Sequence, residues 1–361
     1  MEYKCLLTVR DLSPDKKVGG VGNYYRGLKN EFKNEIEYHF IGKRYKDHKN
    51  ISLRLAGDYI SLWGKLKSVN VLVVNPSLNS NCIFRDGIST ILAKLRGKKY
   101  IVFFRGWAQD VELKVEQSYL LKKWLQTTFL NADHIIVLSS NFKKKIIEWG
   151  YKGSVSIETT VVDEKLLTDF TLNYKKREDN KILFLSRIEK VKGIFEALEA
   201  VNILMEKNRD IQFTIAGNGS SYEDLKTHIS TLDTDRITLK GYVKGEEKAG
   251  CFSSANMFLF PSVHGEGMPN SILEAMAFGL PVLTTRVGGI PDFFEEGKMG
   301  LFLDSREPEH IAEKIEYLLD RPELMKEMGE YNYNYAKEHF YANKVAARLE
   351  KIIDDVVEGR V

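Results

Sequence analysis

The sequence predicts an α/β chain built from two doubly wound, Rossmann-like domains. Three observations predict it. Strand-sized apolar runs alternate with longer helical stretches, the pattern of parallel sheets covered by helices. The alternation falters over 163–180, DEKLLTDFTLNYKKREDN, and then restarts. A chain of 361 residues is also too long for one ordinary core.

In the first half the strand-like runs are KCLLTV (4–9), EYHFIG (37–42), VNVLVV (69–74), YIVFF (100–104), HIIVLS (134–139) and VSIETTVV (155–162). Helical sequence lies between them, as in VELKVEQSYLLKKWLQTTFL (111–130). The second half repeats the pattern with KILFLS (181–186), IQFTIAG (211–217), ITLKG (237–241), MFLFPS (257–262), PVLTT (281–285) and GLFL (300–303). After about residue 307 the strands stop and helical sequence runs on. The expected organisation is a first domain over 1–165, a linker over 166–180, a second domain over 181–335, and helices over 336–361 that cross back to the first domain. No short-period repeat argues for a solenoid. Doubly wound domains bind ligands at the carboxyl ends of their strands, and two that face each other make a central cleft.

Composition is globular, with 43% hydrophobic and 29% charged residues and only eight prolines. The opening MEYKCLLTVR has too short an apolar run for a signal peptide and reads as a first strand. The longest apolar runs are strand-sized, far short of a bilayer span. Cys5, Cys82 and Cys251 are scattered without metal-ligand spacing and read as buried thiols of a reducing compartment. A cytoplasmic protein is expected. Charge is uneven: residues 1–165 hold 28 Lys+Arg against 17 Asp+Glu, a balance of +11, and the remainder holds 25 against 33, a balance of −8. The basic residues include Lys122 and Lys123 beside Trp124, Lys143 to Lys145, and Arg96 to Lys99. Such clusters suit phospholipid headgroups, phosphorylated carriers or nucleic acid, against the plain alternative of solvated faces.

Three stretches at strand ends carry candidate chemistry. The first is DLSPDKKVGGVGNYY (11–25), where Gly19, Gly20 and Gly22 permit a tight turn whose amides, with the next helix N-terminus, hold an anion. Tyr25 stands where a dinucleotide fingerprint has its third glycine, and an ordinary glycine turn explains the stretch nearly as well. The second is LSRIEKVKG (185–193). Arg187 and Lys192 precede the helix that Gly193 opens, and two cations beside a helix N-terminus suit a diphosphate; a solvated basic loop is the alternative. Neither residue is expected in a core. The third is EGMPNSILEA (266–275). Pro269 suits a first helical position, Asn270 or Ser271 can cap nearby amides, and Gly279 with Pro281 ends the helix. Helical side chains lean toward the N-terminus, so Glu274 and the loop residue Glu266 can flank free amides at 267–271 and grip a polyhydroxylated ligand. Alternatively Glu266 is exposed and Glu274 pairs with a helix neighbour.

Taken together, Arg187 with Lys192, the Glu266-x7-Glu274 spacing and the flanks EGMPNSILEAMAFGLPVLTTRVGGIPDFF resemble the retaining glycosyltransferases of family 4, which have the GT-B fold. The resemblance is most specific over 181–304. It implies a nucleotide-diphosphate sugar, UDP- or GDP-linked, as donor substrate, with no cofactor. Glu274 would accept the ribose hydroxyls. Glu266, with the amides of Gly267 and Met268 in the segment that continues through Pro269, Asn270 and Ser271, would hold the transferred sugar. Arg187 and Lys192 would neutralise the departing diphosphate, Gly20 would face it from the other domain, and Tyr242 with Val243 would seat the base. Arg187, Lys192 and Glu266 are thus the expected catalytic residues.

The implied activity is transfer of a hexose-type sugar to a glycan or lipid-linked acceptor in bacterial cell-surface polysaccharide biosynthesis, with an anionic membrane surface rather than nucleic acid as a partner. Cations and helix ends would stabilise charge on the leaving diphosphate. No nucleophile is evident on the sugar's far face, so a front-face displacement is expected, the leaving phosphate taking the acceptor proton. Asp233-Thr234-Asp235 spells a metal-binding acid pair but reads as a turn, and no metal is expected. The chain departs from the family pattern at FFRGW (103–107), where relatives often carry a His and this chain has Arg105. Arg105 is either a structural ion pair with Asp110 or Glu112, or a reader of a negative group on the sugar or acceptor. It also departs at ETTVVD (158–163), where Pro-Asn is common. His264 is an acid–base candidate or a packed rim residue. A sugar-nucleotide epimerase and a noncatalytic phosphosugar-binding protein remain the alternatives.

Overall fold

The computed structural model describes residues 3–10, 12, 20–42, 51–173, 180–232, 234–263, 265 and 267–361. Gly19, Asp233, His264 and Glu266 lie outside the described residues. By its contacts the chain forms two units, Met1–Val161 with Ala342–Val361, and Val162–Tyr341.

In chain order the first unit holds β1 (Lys4–Val9), α1 (Gly20–Leu28), β2 (Glu35–Phe40), α2 (Ile51–Lys65), β3 (Val71–Val74), β4 (Ser77–Leu78), α3 (Ser80–Leu95), β5 (Lys99–Phe103), β6 (Gly106–Trp107), α4 (Gln109–Gln117), α5 (Tyr119–Thr127), β7 (His134–Val137), α6 (Ser140–Glu148) and β8 (Ser154–Ile157). The second holds β9 (Lys181–Leu185), α7 (Ile194–Glu206), β10 (Gln212–Ala216), α8 (Tyr222–Ser230), β11 (Ile237–Gly241), α9 (Gly245–Ser254), β12 (Met257–Phe260), α10 (Asn270–Ala277), β13 (Val282–Thr284), β14 (Gly300–Phe302), α11 (Pro308–Leu319) and α12 (Pro322–His339). The last helix, α13 (Ala342–Glu358), returns to the first unit.

Each unit is a six-stranded parallel sheet. The first runs β2-β1-β3-β5-β7-β8, with a small β4–β6 pair beside it, and the second runs β11-β10-β9-β12-β13-β14. Strands buried on both faces explain the unbroken apolar runs, such as VLVV in β3 and MFLF in β12. Strand order reverses between β1 and β3 in one sheet and between β9 and β12 in the other. Those reversals open crevices at the carboxyl edges.

Two expectations change at the ends of elements. The single helix expected over 111–130 is two, because Ser118 is extended and its Oγ accepts the Leu121 amide 3.3 Å away, capping α5. The strand expected over 155–162 ends at Ile157. It is an edge strand whose only neighbour is β7, which itself stops at Val137.

The return of α13 is anchored by specific polar contacts as well as by its apolar stripe of Val345, Ala346, Leu349, Ile353 and Val356. Buried Glu350 accepts the amides of Lys33 and Asn34 at 2.7 and 2.8 Å and the Asn34 side chain at 3.2 Å. At the other end the Lys99 ammonium donates to the Val356 and Val357 carbonyls at 2.6 and 3.2 Å, a cation on a helix C-terminus. Arg348 reaches Glu158 at 3.0 Å. Removing a buried acceptor leaves its donors without partners, so Glu350→Ala is expected to lower stability by about 1–3 kcal/mol. Glu350→Gln, which keeps a carbonyl acceptor, should lose clearly less. Equal melting temperatures for Glu350→Ala and wild type would show that the apolar stripe alone holds the helix.

Candidate functional site

The crevice at the carboxyl edge of the second sheet is formed by the loops after β9, β10 and β12. Glycine lets them approach. Gly217 has φ +142°, and a Cβ there would lie 1.8 Å from the Ser186 carbonyl oxygen. A Cβ on Gly219 would lie 2.3 Å from the Ile188 carbonyl oxygen, and one on Gly193, at φ +76°, 2.3 Å from that of Pro261. Backbone hydrogen bonds stitch the same segments together. The Ile188 amide donates to Asn218, the Ser221 amide to Ile188 and the Val263 amide to Val191, at 3.1, 3.0 and 3.0 Å. The Arg187–Lys192 loop is therefore held from both sides.

Within it the two cations have different surroundings. Arg187 is exposed and its guanidinium meets Glu189 at 2.7 Å. Lys192, in a short 3-10 turn before Gly193, is only 3% exposed. This corrects the expectation that neither residue lies in a core. Tight packing of the glycine-bearing loops encloses the lysine stem. Burial, with Arg187 nearby and Glu189 opposing, pulls the Lys192 ammonium down to about 8.

Across the switch point, β12 leads through Ser262 and Val263 to α10. Pro269 is the residue before the helix rather than its first, and as the N-cap position it has no side-chain oxygen to cap the first amides, while Asn270 and Ser271 lie inside the helix. The Pro269 carbonyl accepts the Ile272 amide at 3.1 Å, and the Gly267 carbonyl accepts the Gly289 amide at 2.7 Å. Met268 is buried. In the second turn of α10, Glu274 is 5% exposed. Its Oε1 accepts from the Lys248 ammonium at 2.6 Å, whereas its Oε2 is buried without a hydrogen-bond partner among the described residues. Burial raises the Glu274 carboxyl, and Lys248 works against that rise. The partner comes from α9, not from the same helix as the alternative reading had it.

The loop after β11 turns at Gly241, φ +71°, then exposes Tyr242 and buries Val243. Lys248 went unread in the sequence, since GEEK at a helix start looks like a solvated face. The glycines of AGNGS (216–220), directly after a strand, were the signal for the loop that braces Arg187.

In the first unit Gly20 begins the described part of α1, and a Cβ there would meet open space. Arg105 follows β5, with its guanidinium 3.7 Å above the Tyr24 ring and 4.3 Å from that of Phe103. Neither expected ion pair forms. Asp110 meets Lys114 at 3.4 Å, and Glu112 accepts from Trp107 at 2.6 Å and pairs with Lys145 at 3.3 Å. Arg105 Nε and Nη1 are buried without partners among the described residues, and burial lowers its basicity.

Residues 169–335, within the second unit, match the family model "Glycosyl transferases group 1". Among curated relatives, spore coat protein SA of Bacillus subtilis is 29% identical over 199 residues, 53% of this chain and about half (52%) of its own length. The capsular polysaccharide biosynthesis glycosyltransferase CapM of Staphylococcus aureus is 25% identical over 250 residues, 65% of this chain and 64% of its own. Among solved structures, Anabaena HepE in complex with UDP and glucose superposes with a TM-score of 0.72 at 13% identity, over 98% of this chain and 100% of that one. The fold is GT-B.

The buried Lys248–Glu274 pair gives a direct test of this site's electrostatics. Lys248→Met strands a buried carboxylate and is expected to cost about 3 kcal/mol, the low end for a buried pair because Lys248 keeps some exposure. Adding Glu274→Leu removes the stranded charge and should recover most of that loss in thermal or urea melts. A single variant as stable as wild type would show the pair to be solvated.

Proposed function

We propose that this chain, whose residues 169–335 match the group 1 glycosyl transferase model, moves a hexose-type sugar with retention from a UDP- or GDP-sugar to a glycan or lipid-linked acceptor in cell-surface polysaccharide biosynthesis. The observation that carries the donor reading is Glu274. A buried carboxylate with one oxygen held by Lys248 and the other without a partner is an acceptor waiting for donors, and the vicinal hydroxyls of a ribose supply them. Lys192 and Arg187, on the opposite side of the same switch point, would receive the diphosphate. Helix α10 adds the positive end of its dipole beside Gly267, Met268, Pro269, Asn270 and Ser271. Tyr242 and Val243 would seat the base. Glu266, outside the described residues, keeps the role the resemblance gives it, holding the transferred sugar.

The chemistry follows from charge. Cleaving the anomeric C–O bond leaves an electron pair on the diphosphate oxygen. Lys192 and Arg187 stabilise that charge, the acceptor hydroxyl attacks the same face, and its proton passes to the leaving phosphate. With two protein cations at the diphosphate, no metal is needed in this scheme. Arg105 is read as recognising a negative group on sugar or acceptor. The CapM and HepE likenesses support a polysaccharide acceptor and a nucleotide-sugar donor. Acceptor-dependent release of nucleotide would separate transfer from epimerisation and from simple binding.

We also propose that the first unit docks on an anionic bilayer. Among the described residues no helix is long and apolar enough to cross one. Yet Tyr119 and Leu120, at the α4–α5 junction, are 78% and 79% exposed. Beside them a groove of about 360 Å³ is lined by Ile83, Phe84, Val111, Leu121 and Trp124, with Lys114 at its rim. Lys122 and Lys123 follow directly in α5. Apolar tips among lysines suit the headgroup boundary of an anionic leaflet.

The buried ammonium sets a pH signature. A lysine with a depressed pKa in the folded protein is less protonated there than in the unfolded chain between about 8 and the usual value, so its unfavourable burial is felt below pH 8 and relieved above it. Lys192→Met should therefore fold at least as stably as wild type at neutral pH, while turnover falls by about a hundredfold or more. A diphosphate raises the ammonium's pKa on binding, so UDP binding near pH 8.5 should take up a proton, visible by calorimetry in buffers of different ionisation enthalpy. Binding with no proton uptake, or turnover within a few-fold of wild type, would remove Lys192 from the diphosphate site.

For the membrane reading, cosedimentation with anionic vesicles should weaken as salt rises and fall sharply in Leu120→Glu. Equal binding to neutral vesicles, or none at all, would point to a soluble acceptor.

A further inference from the structure

The switch point of the first sheet, between β1 and β3, opens into a cavity of about 210 Å³. It is below the range of pockets that enclose a whole drug-sized ligand, about 300–1,000 Å³, and so takes one group of a larger molecule. Arg10, Arg85, Asp86, Asn75 and Asn79 line it, with Gly20, Val21 and Gly22 of α1 as another wall.

Its hydrogen-bond inventory is one-sided. Asp86 is buried, and both its oxygens are taken by Arg85, Nε and Nη2 each at 2.7 Å. The Asn75 side-chain oxygen accepts from the Tyr25 hydroxyl at 2.7 Å, and its amide group donates to the Thr8 carbonyl at 3.0 Å. The Asn79 side-chain oxygen accepts the Cys82 amide at 3.0 Å as the cap of α3. The carboxylate and amide acceptors of this lining are thus committed, and donors remain. Arg85 Nη1 makes no hydrogen bond among the described residues, and Gly42, at φ +67°, has its Cβ position 3.1 Å from it, so glycine leaves the guanidinium room in this place. Among the described residues Arg10 hydrogen-bonds to the weak acceptor Cys82 Sγ, at 3.5 Å, and feels the charge of Asp86. Two guanidinium groups face one carboxylate, and a cavity that offers donors and net positive charge selects a ligand with acceptors and negative charge.

We propose that this cavity binds an oxyanion carried by the acceptor, a phosphate or carboxylate, so that the acceptor substrate is an anionic sugar or polyol rather than a neutral one. The assignment to the acceptor rests on the transferase reading. The cavity's preference for an oxyanion does not.

Inorganic phosphate, with glycerol as the neutral comparison, titrated into the intact protein with and without saturating UDP, tests it. Phosphate should bind saturably, glycerol should not, and saturating UDP should leave the phosphate affinity unchanged. Arg10→Gln, at an exposed position, should weaken phosphate by about tenfold or more. Asp86→Asn, which keeps the side chain's shape and frees Arg85 of its counter-charge, should tighten it. No saturable phosphate binding, or the same affinity in wild type and Arg10→Gln, overturns the site. Loss of phosphate binding on saturation with UDP assigns the anion to the donor and overturns the acceptor reading. Failure of UDP to bind, with the phosphate results intact, would instead overturn the donor site and leave the cavity standing.

Discussion

The structure of the second unit depends on three backbone carbonyls lying where side chains would otherwise be. Ser186, Ile188 and Pro261 each place a carbonyl oxygen within 2.3 Å of the Cβ position of Gly217, Gly219 or Gly193. No L-residue fits there without moving backbone, and two of the three glycines also hold positive φ. That approach brings the loops after β9, β10 and β12 into one layer. It is why a lysine can be buried at a strand end, where loops are ordinarily solvated. The burial of Lys192 and its weakened basicity both descend from this packing.

Both units put charge where water is scarce, and they balance it differently. In the second, Glu274 is half-neutralised by Lys248, and Lys192 carries its charge at a cost. In the first, Asp86 is fully matched by Arg85, while Arg105 lies against the faces of Tyr24 and Phe103 and feels the charge of Glu158 without an ion pair among the described residues. A matched pair such as Arg85–Asp86 holds geometry, and what it leaves for a ligand is the one guanidinium nitrogen the carboxylate does not use. An unmatched group, such as Glu274 Oε2 or the Arg105 edge, is the kind of feature that a ligand completes.

Much of the fold was legible because its strands are short and buried on both faces. KCLLTV and ITLKG are β1 and β11 to the residue, since apolar runs bounded by charge or glycine admit little slippage. Elsewhere strand ends shifted by one to five residues, most at β8, where the outer edge has no partner to extend the ladder. The helix break at Ser118 was invisible to periodicity, because a serine reads as a helix-surface residue until its hydroxyl caps the next turn. Arg187, Lys192 and Glu274 were placed correctly at strand ends and a helix start by sequence order alone. Their environments were not. Burial of Lys192 needs three loops distant in sequence, and the partner of Glu274 sits 26 residues upstream on another helix.

That division has a physical consequence for the unliganded protein. Lys192 and Glu274 are shifted in opposite directions by the same cause, desolvation, each toward its uncharged form. An anion beside the one and hydroxyl donors beside the other restore what burial removed. A ligand carrying a diphosphate and a vicinal diol in one molecule therefore relieves both at once, whereas a free phosphate or a free sugar relieves only one. Sites that store unfavourable electrostatics in this way gain more from the complete ligand than from its separated parts, because the translational and rotational cost of binding is met once for both halves. The selectivity of the second unit for a nucleotide-linked substrate, in this reading, lies less in any single contact than in two buried groups that one molecule can satisfy together.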